Sequence, residues 1–539
     1  MKKILYSIVL LAVSAAPSCS DFLSTTPMDF TATSNYYKTA SDIETALTGC
    51  YGQLGTAFGV DYRTGIFLIG NVGTDEVGGN PYSSPDANSN MDQFQNGLVT
   101  KTNLNVRDLW KSAYSAIYSI NQLLDKIGAV DMDAERKADV IAEARFLRGW
   151  NYMNLGMIFG GVPVYTAVPH APKAGRNTLE EVMTTAAEDL RYAYDNLDPA
   201  ADAVNGRASR WAAGGYLAKL YCYLASCKIN KVGSDLGFPL NSFDWVDAEA
   251  LYSDADEILD DIRLNSGFKL TDDYRTLFCE CSKDKQAEEN LFAYAPSPQK
   301  KIGFGLMYYQ LAAGTQTGGW GTCRPFEEVY LRYDGTRDKR MEWNIGGLGD
   351  SDCKLVTIDG SQYYQPKENL QDGQYCAHKF RIEYTASKHD DAYYGYYPLL
   401  RYAEIVLLKA ETEAYLKNED AGRLILKEVR SRALKPDADI DELQTIYRKT
   451  DFIEELLDER SRELCFEQQR KFDLVRFGRY LSTVKAIRTT NTLTDVWGTW
   501  NRNAASVLVG NISANQIWMP IPNEDCLANP NLLPNNPGY

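Results

Sequence analysis

The sequence predicts a mainly α-helical protein, a tetratricopeptide-like scaffold of paired helices carrying a loop-rich, aromatic-rich insert. Three observations predict it. Apolar residues recur at three- and four-residue steps over several stretches, the signature of one buried helix face. Those stretches come in pairs with short Gly- or Pro-marked turns between them, as in helical repeat proteins. Residues 292–397 then break the pattern: they hold 19 Phe, Tyr or Trp in 106 positions, cut repeatedly by Gly, Pro, Asp and Asn, with no helical period. That segment is expected to form loops and short strands on the helical frame, where binding residues concentrate.

Composition sets the outer bounds. The 539 residues are 44% hydrophobic and 24% charged, values of a folded chain with ample material for a core. Fifty-six Lys and Arg face 72 Asp and Glu, a net charge of −16. Nucleic-acid binding and attachment to an anionic bilayer by charge both need clustered cations, so this balance argues against them. Only three histidines occur, His170, His378 and His389, far apart in sequence, which removes most histidine-based metal and triad chemistry. No phosphate-cradling G-x-x-x-x-G-K, H-E-x-x-H or G-x-S-x-G occurs either. With 72 acids, a carboxylate pair for glycoside cleavage carries no signal of its own.

The elements follow in order. Lys2 and Lys3 precede an apolar run from Ile4 to Ala16 that is too short to span a bilayer and has the form of an export signal. Ala16-Pro17-Ser18-Cys19 resembles a lipoprotein cleavage site, although Ala16 stands where Leu is usual; Cys19 would become the acylated N-terminus. Residues 20–100 are mostly loop, with one short helix over 41–54. From Val106, Leu109, Trp110, Tyr114, Ile117, Asn121 and Leu124 mark a helix closed by Gly128. A second helix, Ala134 to Phe159, is apolar or small over most of its circumference and must be packed on several sides; Gly160-Gly161-Val162-Pro163 stops it. Thr178 and Glu181 form a capping box for a third helix, to Leu197. Ser209–Lys228 and Trp245–Leu264 follow. Beyond the insert come Leu399–Leu416, Ala421–Leu434 and one long helix from Asp451 to Tyr480. Of the cysteines after Cys19, Cys222 and Cys227 share a helix in poor geometry for a bridge, and Cys279-Glu280-Cys281 lacks a second pair for zinc. Most are expected as small buried hydrophobes. The organisation is therefore 1–18 lipoprotein signal peptide, 19–105 loop-rich segment, 106–265 helical scaffold, 266–398 insert contributing to the ligand site, and 399–539 C-terminal helices with a capping tail that packs on the scaffold.

Several blocks together resemble the SusD/RagB family of Bacteroidetes outer-membrane nutrient-binding lipoproteins. They are Cys19-Ser-Asp-Phe-Leu, Leu109-Trp110, Ala142-Glu-Ala-Arg-Phe-Leu-Arg-Gly149 with Phe159-Gly-Gly-Val-Pro163, and Arg210-Trp-Ala-Ala. Leu400-Arg-Tyr-Ala-Glu-Ile, Glu459-Arg460 with Arg462-Glu-Leu464, Phe472-Asp-Leu474, and the ending Asn536-Pro-Gly-Tyr539 complete the series, in order along nearly the whole chain. The resemblance implies an outer-membrane lipoprotein facing outward, non-catalytic, that captures oligosaccharide and delivers it to a SusC-like TonB-dependent transporter. Some relatives take peptides. A glycoside hydrolase and a subunit that only stabilises its transporter are the other readings. Arg145, Arg148, Glu459, Arg460, Glu463 and Arg470 lie on helices that must be largely buried and are expected as interhelical ion pairs.

In the family, the glycan site draws on the loops before the first solenoid helix and on the insert. Sugars stack their C–H faces on aromatic rings, and their hydroxyls need polar partners at the ring rim. Here the first region, Asn71 to Asn96, offers Asp75, Glu76, Asn80, Tyr82 and Asp92. The second offers Tyr308, Tyr309 and Trp320, the last flanked by glycines on an open turn. The run Tyr393, Tyr394, Tyr396 and Tyr397 is expected to pack insert against helix. No cofactor is expected. Asp350, Asp352 and Asp359 could chelate Ca²⁺ through oxygen, but no EF-hand pattern is present, and solvated loops are the favoured reading.

Overall fold

The computed structural model describes residues 36–54, 66–78, 90–171, 173–199, 206–279, 282–295, 324–347, 354–365, 375–381, 383, 395–490 and 498–539. Three short helices come first: α1 (Ala40–Gly52), α2 (Ile66–Asn71) and α3 (Asn90–Gln95). The frame is α4 (Leu104–Lys126), α5 (Ala134–Phe159), α6 (Leu179–Asn196), α7 (Arg210–Ile229) and α8 (Ala248–Asn265). Each packs on the next in chain order, the solenoid arrangement.

Local chemistry explains the bounds. Asp133 caps α5 by accepting from the Arg136 amide, and Thr178 and Glu181 form the expected capping box on α6. From Ala142 to Phe159 almost every residue of α5 is buried, so it is packed on all sides rather than on one stripe. Gly149 permits the close approach to α6: a Cβ there would meet the Ala186 carbonyl oxygen at 2.9 Å. Beside it, Arg145 and Arg148 both bind Asp189 of α6, each at 2.7 Å.

The chain then leaves the solenoid through α9 (Lys283–Glu289) and strand β1 (Asn290–Tyr294). The excursion contains α10 (Glu327–Leu331), α11 (Arg340–Asn344), β2 (Ile345–Gly347), the hairpin of β3 (Lys354–Ile358) and β4 (Ser361–Gln365), and β5 (Tyr375–Ala377), which pairs with β2. It returns on β6 (Tyr397–Arg401), antiparallel to β1. The insert is thus closed at its root by its own two ends. The solenoid resumes with α12 (Tyr402–Leu416), packed on α8, and α13 (Glu419–Ala433), followed by α14 (Ile440–Tyr447), α15 (Phe452–Leu464), α16 (Arg470–Arg476), α17 (Tyr480–Lys485), α18 (Gly498–Asn511) and α19 (Asn523–Ala528). The C-terminal tail folds back on the end of α5, where Asn536 Nδ2 donates to the Phe159 and Met519 carbonyls at 2.8 and 2.7 Å.

Two expectations are corrected. The helix expected from Leu399 begins at Tyr402, because residues 397–401 are the returning strand. The long helix expected over Asp451–Tyr480 is three helices. It breaks at Cys465–Gln469, where Phe466 and Gln468 take positive φ. The reason lies elsewhere in the chain: Lys379 Nζ donates to the Glu463 and Cys465 carbonyls at 2.8 and 3.1 Å, and Arg401 Nη2 to the Glu463 carbonyl at 2.7 Å. Buried cations at the C-terminal carbonyls of α15 satisfy the groups that a longer helix would have satisfied internally. The cysteines behave as expected where described: Cys50, Cys222, Cys227, Cys279, Cys465 and Cys526 are free and buried.

Around α15 lies a buried lattice of charge. Arg340 binds Asp338 (2.7 Å), Glu459 (2.9 Å) and Glu463 (2.9 Å). Arg401 binds Glu289 (2.8 Å), Glu463 (2.6 Å) and Glu467 (2.8 Å). Arg432 joins Glu289 and Glu463, Arg430 joins Glu455 and Glu459, and Lys379 joins Glu467. Burial alone would raise the Glu463 pKa, but the Arg432, Arg401 and Arg340 charges outweigh it and hold the carboxyl well below its usual range.

Glu463→Ala should cost about 3–5 kcal/mol in denaturant unfolding, the usual effect of stranding buried partners. The depressed pKa values of Glu459, Glu463, Glu467 and Asp473 fix the sign of the acid response. Their stabilisation is complete above the unfolded-state values near 4 and is lost as pH falls below them. The urea midpoint is therefore expected to drop steeply from about pH 5 towards pH 3, with a shallower drop in Glu463→Ala.

Candidate ligand site

The described part of the expected site is the segment Asn71–Gly78 at the end of α2. It is a tight loop: Val72 bridges Val77, and the Thr74 hydroxyl donates to the Asn71 carbonyl at 2.5 Å. It docks on the break between α15 and α16 so closely that a Cβ on Gly70 would stand 2.2 Å from the Gln468 carbonyl oxygen. Its outer edge is joined to the insert. Val77 bridges Pro325, the Gly78 amide donates to the Arg324 carbonyl at 2.9 Å, and the Phe326 amide to the Glu76 carbonyl at 3.0 Å. Two segments 246 positions apart in sequence, one ending at Gly78 and one resuming at Arg324, are therefore rooted side by side.

Charge holds this root. Asp75 is fully buried and accepts from Arg470 Nε and Nη2 at 2.8 and 2.7 Å and from Arg332 Nη2. Arg332 also reaches Asp458 (3.3 Å) and Ser461 Oγ (3.1 Å), and Ser461 Oγ donates to Glu76 Oε1 at 2.7 Å. Burial works to raise the Asp75 pKa, and the Arg332 and Arg470 charges override it and hold it below the carboxylate range. For Glu76 burial wins and its pKa is raised. Next to Arg332 opens a polar cleft of about 590 Å³ lined by Glu328, Asp334, Lys449, Asp458, Arg462 and Arg488 among others. Its Lys449 and Asp458 are paired at 2.7 Å, and the hydroxyls of its Tyr333 and Tyr447 are directed inward, to the Arg462 carbonyl and to Asp338. It presents ion pairs rather than open ring faces.

Asp75, expected among the ligand contacts, is thus engaged by two arginines and buried, as is Glu76. Asn80, Tyr82, Tyr308, Tyr309 and Trp320 lie outside the described residues, as do Cys19, Tyr393, Tyr394, Asp350 and Asp352. Asp92 is on α3. Tyr396 and Tyr397 are buried, and the Tyr397 ring stacks on Phe380 of the insert at 5.1 Å. Asp359 sits in the β3–β4 turn with positive φ. Among the described residues no group of three or more His, Cys, Asp or Glu could hold a metal ion. No helix among them is long and apolar enough to cross a membrane. The residue that sequence reasoning missed is Arg332: it lies 257 positions from Asp75, and no spacing rule connects them.

Two family models match the chain. The SusD family model takes in residues 287–539, and a model described as starch-binding associating with outer membrane takes in residues 53–222. SusD-like protein P2 of Formosa agariphila is 24% identical over the full length of both chains, and a SusD-like protein of Bacteroides ovatus is 25% identical over 95% of this chain and 94% of its own. Among solved structures, a SusD superfamily protein of Bacteroides vulgatus superposes with a TM-score of 0.70 at 20% identity, covering 94% of this chain and all of its own. A SusD homolog of Bacteroides thetaiotaomicron gives 0.69 at 22%, over 94% and 98%. A laminarin-binding SusD-like protein gives 0.65 at 22%, over 93% of this chain and all of that one. The helical frame, the insert closed by β1 and β6, and these matches at both ends of the chain agree: the protein belongs to the SusD family.

Proposed function

We propose that this protein is a non-catalytic glycan-capture lipoprotein of the outer surface, acylated at Cys19, that passes oligosaccharide to a SusC-like TonB-dependent transporter. The observation that supports this most is the shared root of the two segments at Gly78 and Arg324. It anchors the chain leading to Asn80 and Tyr82 beside the chain leading from Trp320, so that ring and rim partners can meet one ligand. A glucan is the class to try first, because starch and laminarin, named for related proteins, are both glucose polymers. Stacking on one ring contributes on the order of 1 kcal/mol, so short glycans should bind at micromolar to millimolar levels.

A glycan array followed by calorimetry on the best glycan tests this. Retention of peptides with no glycan bound would favour peptide uptake, and reducing ends accumulating in a polysaccharide incubation would make the protein a glycosidase.

Trp320→Ala should weaken binding about tenfold, the equivalent of one ring contact, with the melting temperature unchanged. An unaltered isotherm would remove Trp320 from the site. Asp75→Asn should behave in the opposite way. Loss of one charge beneath two arginines lowers the melting temperature, while the folded fraction keeps its affinity; a weaker isotherm at unchanged stability would return Asp75 to the ligand contacts. Cys19→Ala should abolish labelling by fatty acid and release the protein from the membrane fraction.

A further inference from the structure

A second cleft lies between α4, the loop 163–171 and the C-terminal tail. It has a volume of about 440 Å³, within the roughly 300–1,000 Å³ usual for small-molecule sites. Trp110, Tyr114 and Tyr118 fall at four-residue steps on α4 and so form one stripe along it. The stripe continues into the loop as a row of touching rings. Trp110 and Tyr114 are 4.8 Å apart, Tyr114 and Tyr165 5.9 Å, Tyr165 and His170 4.5 Å and parallel within 4°, and His170 and Tyr118 5.3 Å. The row runs from the core to solvent: Trp110 is buried, Tyr114, Tyr165 and His170 are half-buried, and Tyr118 is 48% exposed.

The walls are fixed before any ligand arrives. The Tyr114 hydroxyl donates to the Pro163 carbonyl at 2.9 Å, Asn121 Nδ2 to the Tyr165 carbonyl at 2.8 Å, and the Tyr152 hydroxyl to that carbonyl at 2.9 Å. On the tail, Asn529 Nδ2 donates to the Ala174 carbonyl at 2.8 Å, and Glu524 is held by Lys111 at 2.9 Å. Preorganisation of this kind lowers the entropic cost of binding.

We propose that this cleft is a second binding site for one neutral pyranose unit. Ring faces supply the stacking surface, and the rim supplies hydrogen bonds. The Tyr165 hydroxyl and Asp525 Oδ2 have no partner among the described residues. Burial raises the Asp525 pKa against the opposing pull of the Lys111 charge. The lining cation Lys111 is already paired, and burial lowers the His170 pKa, which disfavours a charged imidazole. An acidic sugar therefore finds no free counter-charge there. The choice of a sugar as ligand rests on the glycan-binding reading; the cleft itself does not.

With three histidines in the chain, ring resonances of the ¹⁵N-histidine-labelled protein report on His170 directly. Methyl β-glucoside, glucosamine and glucuronate are the probes, each titrated against the full chain. The proposal predicts a saturable shift of the His170 signals with methyl β-glucoside, which is kept in Trp320→Ala and lost in Tyr165→Ala. Tyr165→Phe preserves the packing and should raise the saturation point about threefold, the equivalent of one hydrogen bond. No shift with any probe, a shift with only the charged sugars, or a shift that survives Tyr165→Ala would overturn it. Polysaccharide binding that depends on Trp320 beside a silent His170 sinks this site alone. A responsive His170 beside a Trp320-independent isotherm sinks the first site and leaves this one.

Discussion

The structure depends on one constraint: the charges buried around α15 must neutralise one another. Arg340, Lys379, Arg401, Arg430, Arg432 and Arg462 face Asp338, Glu289, Glu455, Glu459, Glu463 and Glu467, and Arg460 faces Glu404 and Asp473. Isolated charges at such depth would cost several kcal/mol each. The members come from every part of the late chain. Asp338, Arg340 and Lys379 belong to the insert, Glu289 and Arg401 to its two ends, Glu404 to α12, Arg430 and Arg432 to α13, Asp473 to α16, and the remaining acids to α15 and the turn after it. Because no member can leave without stranding another, the lattice fixes the insert to the solenoid with a single register. Apolar packing alone is less directional.

The same logic reaches the candidate site. The break after α15 exists because Lys379 and Arg401 occupy its carbonyls, and α2 and its loop dock on that break. Arg470, just beyond the break, and Arg332, from the insert, then converge on Asp75. Arg462 of the lattice donates to the Arg332 carbonyl at 3.0 Å, so buried polar contacts run from the middle of the fold to Asp75 and the backbone joined at Gly78 and Arg324. Loops that leave from such a root can differ in sequence without disturbing the frame, and variable binding loops on a constant scaffold need that property.

Much of the frame was legible in the sequence because it is written locally. The capping residues Asp133 and Thr178, the all-round apolar pattern of α5 and the Gly-Gly-Val-Pro stop each set a boundary from neighbours a few residues away. The ionic role of Arg145, Arg148 and Glu463 was legible for a similar reason: a charge on a helix with no solvent face needs a partner. The break at Cys465–Gln469 was not legible, because its cause sits on β6 and on the residues after β5. The ion pairs of Asp75 were not legible either. An acid in a Gly- and Asn-rich loop has the profile of a ligand contact, and its two arginines lie 257 and 395 positions away. The aromatic row through Tyr165 and His170 escaped because Trp110 and Tyr114 have the spacing of core residues. Only the fold shows that their stripe opens to solvent.

Hydrogen exchange with and without a saturating glucan such as laminarin tests the central claim most directly. The account predicts slowed exchange in peptides covering 66–96 and 296–326 together, on either side of the Gly78–Arg324 root, with α6, α7 and α8 unchanged. Saturation that leaves both stretches exchanging as before would contradict it.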